Sequence, residues 1–600
     1  MRRTLYVVSC LFLLVAVARS QSNYAVVRGS VFDPQHKALA GAHVRLLSVE
    51  TGAAREAVTN ENGLYEIAGV QPASYKLLIE LSGFAQSEQS LNLEVGEQAT
   101  IDVKLMIGAD RQTITVQASG DLLKTQDASV GEVVDQRSVD SLPLNGRMLI
   151  DLVLTVPGAH ISHGAATGDM NALYWRPGQR SAVSIGGSRP NANYFLLDGT
   201  TNTDPTFSTQ NLSASPDAVQ EFEVQTGSYS ADMGGAGGGQ INIVTRSGSA
   251  AFHGTAYEFL RNGDMDAHSF NQMGGSNFLV QNNFGASVGG PIKRTGKSFF
   301  FLNYEALRHV EMDTMVETVP TAAEIGGDFS QSGVNIYDPA TTISNPTFNP
   351  SQPPSKSNPQ YIRQQFSYNG VANVIPPGRL TKAASIMLNK YTPRPNTSNM
   401  GASTMMGTPT VIGAGNDANN YLDMRKEQMT DDQGTARIDH SFANGDTAFF
   451  RYSGASEFGF MPQGLPGFGF HHDDLSQQGT LAWNHVISSH LVNMASGAIS
   501  RLSMMHTTES ANKNDIVTEL GITGTGFGGP AAWGAPYFNV QGFSPLGDNY
   551  VATPMRTWDT VVEGRDALSW QIGRHSAKFG GAYQKFIWPM WGFFQNRGYY

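Results

Sequence analysis

Beyond Phe252 the chain runs in stretches where apolar and polar residues alternate: Phe252–Phe259, Asn283–Pro291, Ser298–Glu305, Gly434–His440, Thr447–Tyr452, Gln478–Val486 and Leu491–Ser503. Successive side chains of a strand point to opposite faces of its sheet, so the pattern specifies antiparallel strands rather than helices. After the N-terminal segment there is no run of about 18 apolar residues, the length a membrane-spanning helix needs. A strand crosses a bilayer in about 10 residues of alternation and keeps a modest hydropathy, so this does not argue for a soluble chain. Ala443-Asn444-Gly445-Asp446 supplies a hairpin turn between two of the stretches. The segment Glu311–Met429, rich in Pro, Asn, Ser and Thr, would be exceptional inside a compact soluble domain and is ordinary as a loop outside a barrel.

Arg2 and Arg3 precede an apolar run, Leu5–Val17, that ends in small residues around Ala16, Ala18 and Ser20. This is the pattern of a secretory signal peptide over residues 1–20. Cys10 is the only cysteine and lies within that leader, so the exported chain has neither disulfides nor thiolate chemistry. Glycine at 65 residues, aromatics at 10% and charged residues at only 15% suit strands and turns. A net charge of −11 with no basic cluster excludes a general nucleic-acid binder.

Strands are expected at Ala25–Phe32, His43–Ser48, Glu56–Thr59, Leu64–Val70, Ser74–Leu81 and Gln98–Met106, separated by Asp33-Pro34, Glu61-Asn62-Gly63, Gln71-Pro72 and Ser82-Gly83. That spacing makes residues 24–107 a small β-sandwich. Gly29-Ser30-Val31, Ala40–Val44, Thr59–Tyr65 and Tyr75-Lys76-Leu77 resemble the carboxypeptidase regulatory-like domain. The resemblance implies an appended sandwich without peptidase chemistry, since no His-Glu-x-x-His helix is present. It leaves glycan contact open by analogy with carbohydrate-binding sandwiches.

The alternating segment Gln112-Thr113-Ile114-Thr115-Val116-Gln117-Ala118, within residues 110–120, resembles a TonB box, and also reads as a last sandwich strand. Residues 121–248 then carry Leu142-Pro143-Leu144-Asn145-Gly146-Arg147 before a short amphipathic helix, Met148–Leu154. Ser184–Asn191, with Arg189 and Pro190, precedes Tyr194–Gly199, with Asp198 and Gly199; Ser215–Val224 and the glycine-rich run into Gln240–Gly248 follow. In this order the motifs resemble the plug of TonB-dependent receptors, Oar-like and more loosely SusC-like. The expected fold is mainly β: an N-terminal sandwich, an α+β plug, and from residue 249 the first part of a transmembrane antiparallel β-barrel. About ten strands follow Gly248, whereas barrels of this type close with about 22, so the expectation is a chain that ends inside its barrel.

The resemblance implies an outer-membrane receptor with its N-terminal domain in the periplasm. Its partners would be a TonB-type energy-transducing protein, outer-membrane lipid and an extracellular substrate, with oligosaccharides or polymers favoured over simple siderophores. No nucleic acid and no cofactor are expected. The rival readings are a glycan-binding adhesin anchored by the barrel and a secreted all-β structural protein. Gly234–Gly239 lacks the Gly-Lys-Ser/Thr ending of a phosphate loop and fits close strand packing instead. His471-His472-Asp473-Asp474 has metal-ligand residue types but reads as a solvated loop. Asp198 and Arg189 are candidates for an ionic lock, against a plainer reading as a turn carboxylate and a paired surface guanidinium. No Ser-His-Asp, Cys-His or paired-carboxylate arrangement has local motif support, so no enzyme is expected. Sequons at Asn211 and Asn396 carry no information in this setting.

Overall fold

The computed structural model describes residues 24–108, 112–113, 130–142, 144–161, 183–229, 234–235, 237–267, 278–292, 297–398, 404–405, 408–409, 418–548 and 553–600. The sandwich comprises β1 (Ala25–Phe32), β2 (His43–Ser48), β3 (Ala54–Val58), β4 (Leu64–Val70), β5 (Ala73–Glu80), β6 (Ser87–Leu93), β7 (Gln98–Thr100) and β8 (Val103–Lys104), with β9 (Gln112–Thr113) added after it. One sheet runs β4-β1-β7 with β8 on β1, the other β3-β2-β5-β6-β9. Between them Val27, Val31, Leu46, Tyr65, Leu77 and Ile79 are buried, and the Tyr65 hydroxyl donates to the Ile101 carbonyl at 2.8 Å.

Two expectations here are corrected. β6 was not foreseen, because Ser87 and Gln89 stand on its buried face where apolar residues would have given a period of two. The single strand expected over Gln98–Met106 is two, split where the Asp102 carboxylate accepts from the Ser30 amide at 2.8 Å and the Ser30 hydroxyl at 2.7 Å.

The next unit contains β10 (Val130–Asp135), β11 (Ala159–Ile161), β12 (Val183–Ile185), β13 (Tyr194–Leu197), β14 (Thr200–Thr201), β15 (Val219–Gly227) and β16 (Gln240–Thr245). Its sheet order is β10-β15-β16-β13-β14, with β13 and β16 parallel and β11-β12 a separate hairpin. The expected amphipathic helix is a 3-10 segment, Leu149–Thr155, that buries Leu149, Ile150, Leu152 and Val153. They pack with Phe195, Leu197, Phe222, Val224, Ile241 and Ile243 on one face of the sheet.

The remaining strands are β17 (His253–Asn262), β18 (Leu279–Pro291) and β19 (Ser298–Glu317). Three short hairpins follow, β20-β21 (Ile343–Ser344, Tyr361–Ile362), β22-β23 (Ser367–Tyr368, Val371–Ala372) and β24-β25 (Thr404–Met405, Thr408–Pro409). Then come β26 (Tyr421–Ser441), β27 (Thr447–Met461), β28 (Phe470–Ser488), β29 (Leu491–Thr508), β30 (Met555–Ile572), β31 (His575–Ile587) and β32 (Met590–Gly592). They form a ten-stranded antiparallel sheet, β17-β18-β19-β26-β27-β28-β29-β30-β31 with β32 on β30, which does not close on itself among the described residues. The β19–β26 ladder continues from Glu311↔Glu427 to Glu317↔Tyr421, so the loop expected over Glu311–Met429 is shorter, at residues 318–420.

Side-chain polarity across this sheet is the reverse of a soluble protein's. On β27 Arg451, Ser453 and Glu457 are buried while Phe450, Tyr452 and Phe458 are exposed. On β28 His472, Asp474, Ser476, Gln478 and Thr480 face inward while Leu475, Leu481 and Trp483 face out. This also corrects the reading of His471–Asp474 as a loop: it is strand, with alternate residues pointing to the lumen. Apolar-out and polar-in is the pattern of a lipid-embedded barrel wall. Short turns (442–446, 489–490, 573–574) gather at one end of the sheet and long connections at the other. At the long-loop end Val319, Met387, Leu465, Phe468, Ile516 and Leu520 form a core of their own.

Ile499, near the middle of β29, faces outward and is 58% exposed. Ile499→Arg is expected to lower stability by about 2–4 kcal/mol in urea titrations in lipid vesicles. Ile343→Arg on the exposed loop is expected to stay within about 0.5 kcal/mol of the parent.

Candidate functional site

Leu197 pairs with Thr200 across a two-residue turn, Asp198-Gly199, whose φ values of 49° and 74° lie in the left-handed region. Aspartate and glycine tolerate that conformation, and a primed turn matches the twist of the strands it joins. The turn aims the Asp198 carboxylate at the inner wall of the large sheet. Thr245 donates to it from its amide at 2.9 Å and its hydroxyl at 2.8 Å. Arg451 Nε lies 2.6 Å and Arg437 Nη1 3.4 Å from it.

Each guanidinium is held by further acceptors. Arg437 pairs with Asp439 at 2.8 Å, donates to the Thr245 carbonyl at 3.0 Å and stacks over Phe449. Arg451, with no exposed surface, donates to Ser453 at 3.0 Å, Gln478 at 2.9 Å and Thr480 at 2.8 Å. Two cations and two carboxylates therefore balance where an unpaired buried charge would cost several kcal/mol.

A second tie lies on the neighbouring wall. Gly146, with φ of 69°, turns Arg147 toward Glu305 at 3.1 Å and Asp217, and the guanidinium lies 4.4 Å from the Tyr257 ring centroid and 4.7 Å from that of Phe259. Glu305 also accepts from the Ser215 hydroxyl at 2.7 Å. Asn145 accepts from Arg261 at 3.1 Å, and the Gly146 carbonyl accepts from Asn283 at 3.4 Å. On the opposite side Glu563 accepts from the Thr201 amide at 2.7 Å, and Gln478 donates to the Thr201 carbonyl at 2.7 Å.

Of the residues singled out from the sequence, Asn145, Gly146, Arg147, Asp198 and Gly199 stand where the plug meets the wall. Arg189 does not join Asp198: it is exposed, and its carbonyl accepts from Ala192 at the short 3-10 turn that buried Pro190 begins. Asp198 is a turn carboxylate before Gly199, and its side chain, 3% exposed, is paired with the wall. In the glycine-rich run, a Cβ at Gly239 would sit 2.4 Å from Ile185 Cδ1. Gln112 and Thr113 pair in parallel with Ser87 and Glu88, which extends the sandwich sheet; Ile114, Thr115, Val116, Gln117 and Ala118 lie outside the described residues.

His472 pairs with Glu457 at 3.0 Å, and among the described residues no three His, Cys, Asp or Glu are grouped to hold a metal. The wall residues Arg437, Arg451, Glu305 and Glu563 were not anticipated. For Arg451 the signal was a charged residue flanked by aromatics within an alternating strand, Phe450-Arg451-Tyr452, whereas Arg437, between Ala436 and Ile438, and Glu563, between Val562 and Gly564, carry no such mark.

The back face of the plug sheet meets the sandwich. Glu221 and Glu223 on β15 are buried, and the Val95 amide donates to Glu221. Burial, then the charge of Glu94, pushes Glu221 up to about 8, with Glu223 and Glu97 adding to the rise and the Val95 bond opposing it.

Residues 244–600 match the family described as outer membrane beta barrel domain, and residues 26–106 the carboxypeptidase regulatory-like domain. Over 317 residues, 51% of the chain, the sequence is 28% identical to the TonB-dependent transporter Oar of Myxococcus xanthus. The match spans 28% of that relative's length. Among solved structures, the outer membrane transporter YddB of Escherichia coli aligns with a TM-score of 0.43 at 11% identity, over 77% of this chain and 48% of that one. A mutant of the ferric enterobactin receptor PfeA of Pseudomonas aeruginosa gives a TM-score of 0.38 at 10% identity, over 76% and 49%.

Arg451→Met leaves Asp198 with one more distant cation, and seating of the plug is expected to weaken by about 3–5 kcal/mol, the cost of breaking a buried pair from one side. The urea concentration at which plug residues become protease-sensitive reads this out. For Glu221 the folded-state pKa of about 8 stands above its ordinary 4.5, so its contribution to stability is complete below 4.5 and is lost as pH rises toward 8. Thermal unfolding of E221Q across that window should show a flatter pH dependence than the parent.

Proposed function

The chain belongs to the outer membrane β-barrel domain family, and from that premise we propose that it is an Oar-like, TonB-dependent receptor that binds an extracellular substrate and moves it across the outer membrane. The observation that carries this reading is the plug fastened to the wall by the buried Asp198–Arg437–Arg451 group. A barrel serving only as an anchor needs no such separable domain. Buried ion pairs contribute little over apolar packing, yet water can replace them when the contact opens. Ties of this kind suit a plug that leaves and returns.

Under this reading the protein sits in the outer membrane with the short-turn end and the sandwich on the periplasmic side. A TonB-type protein would take Gln112–Ala118 by strand addition, where backbone bonds supply most of the affinity. Oligosaccharides or polymers are the favoured cargo over simple siderophores, on the analogy of the sandwich with carbohydrate-binding folds.

Deletion of Thr113–Ala118 tests the coupling. Binding of the purified periplasmic domain of the transducer to the detergent-solubilised receptor is expected to fall by about tenfold or more, the effect of 1.4 kcal/mol or more. The heat-modifiable mobility of the barrel should stay unchanged. Undiminished binding would reject the assignment of this segment.

A further inference from the structure

The sandwich does not hang on a tether; β4 and the neighbouring loops meet the short-turn end of the lumen and bond to inward-facing wall residues. Asn484 donates to the Gly69 carbonyl at 3.3 Å, Ser569 to Glu66 at 3.2 Å, and Gln71 to Asp439 at 3.5 Å. Asn60 reaches the Gly573 carbonyl at 3.0 Å in a periplasmic-side turn, and the Ala250 amide donates to the Glu50 carbonyl at 2.9 Å. Tyr24, Val26 and Ala68 complete an apolar contact with Val492, Met494 and Ala567 on the wall.

Two of these contacts lead to the plug. Gln71 bonds Asp439, which pairs with Arg437, which pairs with Asp198. Tyr24 shares the surroundings of Arg437, Asp198 and Asp439. A cavity of about 40 Å³ is walled jointly by Tyr24 and Gln71 of the sandwich, Asp198 and Thr245 of the plug, and Arg437 and Phe449 of the barrel. It has room for about one water, and its polar lining gives that water partners. On the plug's back face the Val95 amide of the sandwich donates to Glu221. Gln71 shares Asp439 Oδ1 with Arg437 Nη2, at 2.8 Å, and the plug holds the same guanidinium through Nη1, bonded to the Thr245 carbonyl at 3.0 Å and lying 3.4 Å from Asp198. Withdrawing the plug releases the group that orients the acceptor of Gln71, and movement of β15 removes the partner of Val95.

We propose that the sandwich is a second closure of the lumen, held against the barrel by the same Asp198–Arg437–Asp439 chain that seats the plug, and released when the plug moves. This deepens the transport reading and rests on the plug being the moving part. Docking of the sandwich and seating of the plug are then thermodynamically linked, and each strengthens the other.

The only cysteine, Cys10, lies in the N-terminal leader pattern, so a pair introduced as E66C and S569C reports on docking without background. Bridging of the pair by a short bifunctional thiol reagent is measured in outer-membrane vesicles carrying the full chain, with no transducer or substrate added. The yield is expected to fall about tenfold on adding D198N, within the usual range for two linked sites. It should fall at least as far when residues 121–248 are deleted, a variant that removes the plug whatever the effect of D198N. Equal bridging with and without the plug would overturn the proposal and leave the transport reading standing. Loss of bridging in a receptor whose transducer binding ignores Thr113–Ala118 would instead sustain the linkage and reject the coupling assignment.

Discussion

Lipid offers no hydrogen-bond partners, so backbone that crosses it must satisfy its own amides and carbonyls, and a continuous ladder of strands does so. Every other feature of the large sheet follows from this. With the backbone bonded laterally, the side chains alternate between lipid and lumen, and charges such as Arg437, Arg451, Glu305 and Glu563 have only the inner face to occupy. A wall lined with buried charges needs compensation, and the plug brings Asp198 and Arg147 to supply it. The plug's place is thereby specified by charge, while its own stability comes from the apolar core around Phe195, Phe222 and Ile243.

That division of labour matters energetically. Had the plug been joined to the wall by apolar contact, separating the two would expose about 25 cal/mol of unfavourable surface for each Å² uncovered. Ion pairs and hydrogen bonds exchange instead for bonds to water, and the net change is smaller. The same holds for the sandwich, whose contacts with the wall are mostly single hydrogen bonds from Gln71, Asn60 and Asn484 around one small apolar patch. Contacts of this kind separate at a smaller cost than the ladders of the wall strands, where β19 and β26 are 20 and 21 residues long and paired throughout.

Much of the architecture was legible in the sequence because the period of two and the turn residues survive inside-out packing. Asn444-Gly445 marks its hairpin in a barrel as it would in any sheet, and Gly146 and Gly199 take a positive φ at turns where glycine does so without steric cost. What failed to show were strands whose buried positions are polar. Ser87 and Gln89 hide β6, His472 and Asp474 hide the start of β28, and residues 311–317 pair with 421–427 in a composition that resembles a loop. Beyond the membrane a strand has no lipid to face, so its ladder continues without an apolar stripe. The ionic partners of Asp198 were invisible for another reason: Arg437 and Arg451 lie more than 200 residues away, and only the curvature of the sheet brings them to the turn.

Strand order decides how such a plug would yield to a pull. β10 is the edge of the plug sheet and pairs only with β15, while the Asp198 turn belongs to β13 and β14 at the opposite edge. Force applied through the segment before Val130 would peel β10 first, since an edge strand has one ladder to lose. β15, which carries Glu221 and Glu223 against the sandwich, is next in line, and its loss undoes the Val95 contact before the Asp198 pairs are loaded. Opening would then proceed from the sandwich side toward the ionic tie, and the last contact broken would be the one that the wall is built to remake.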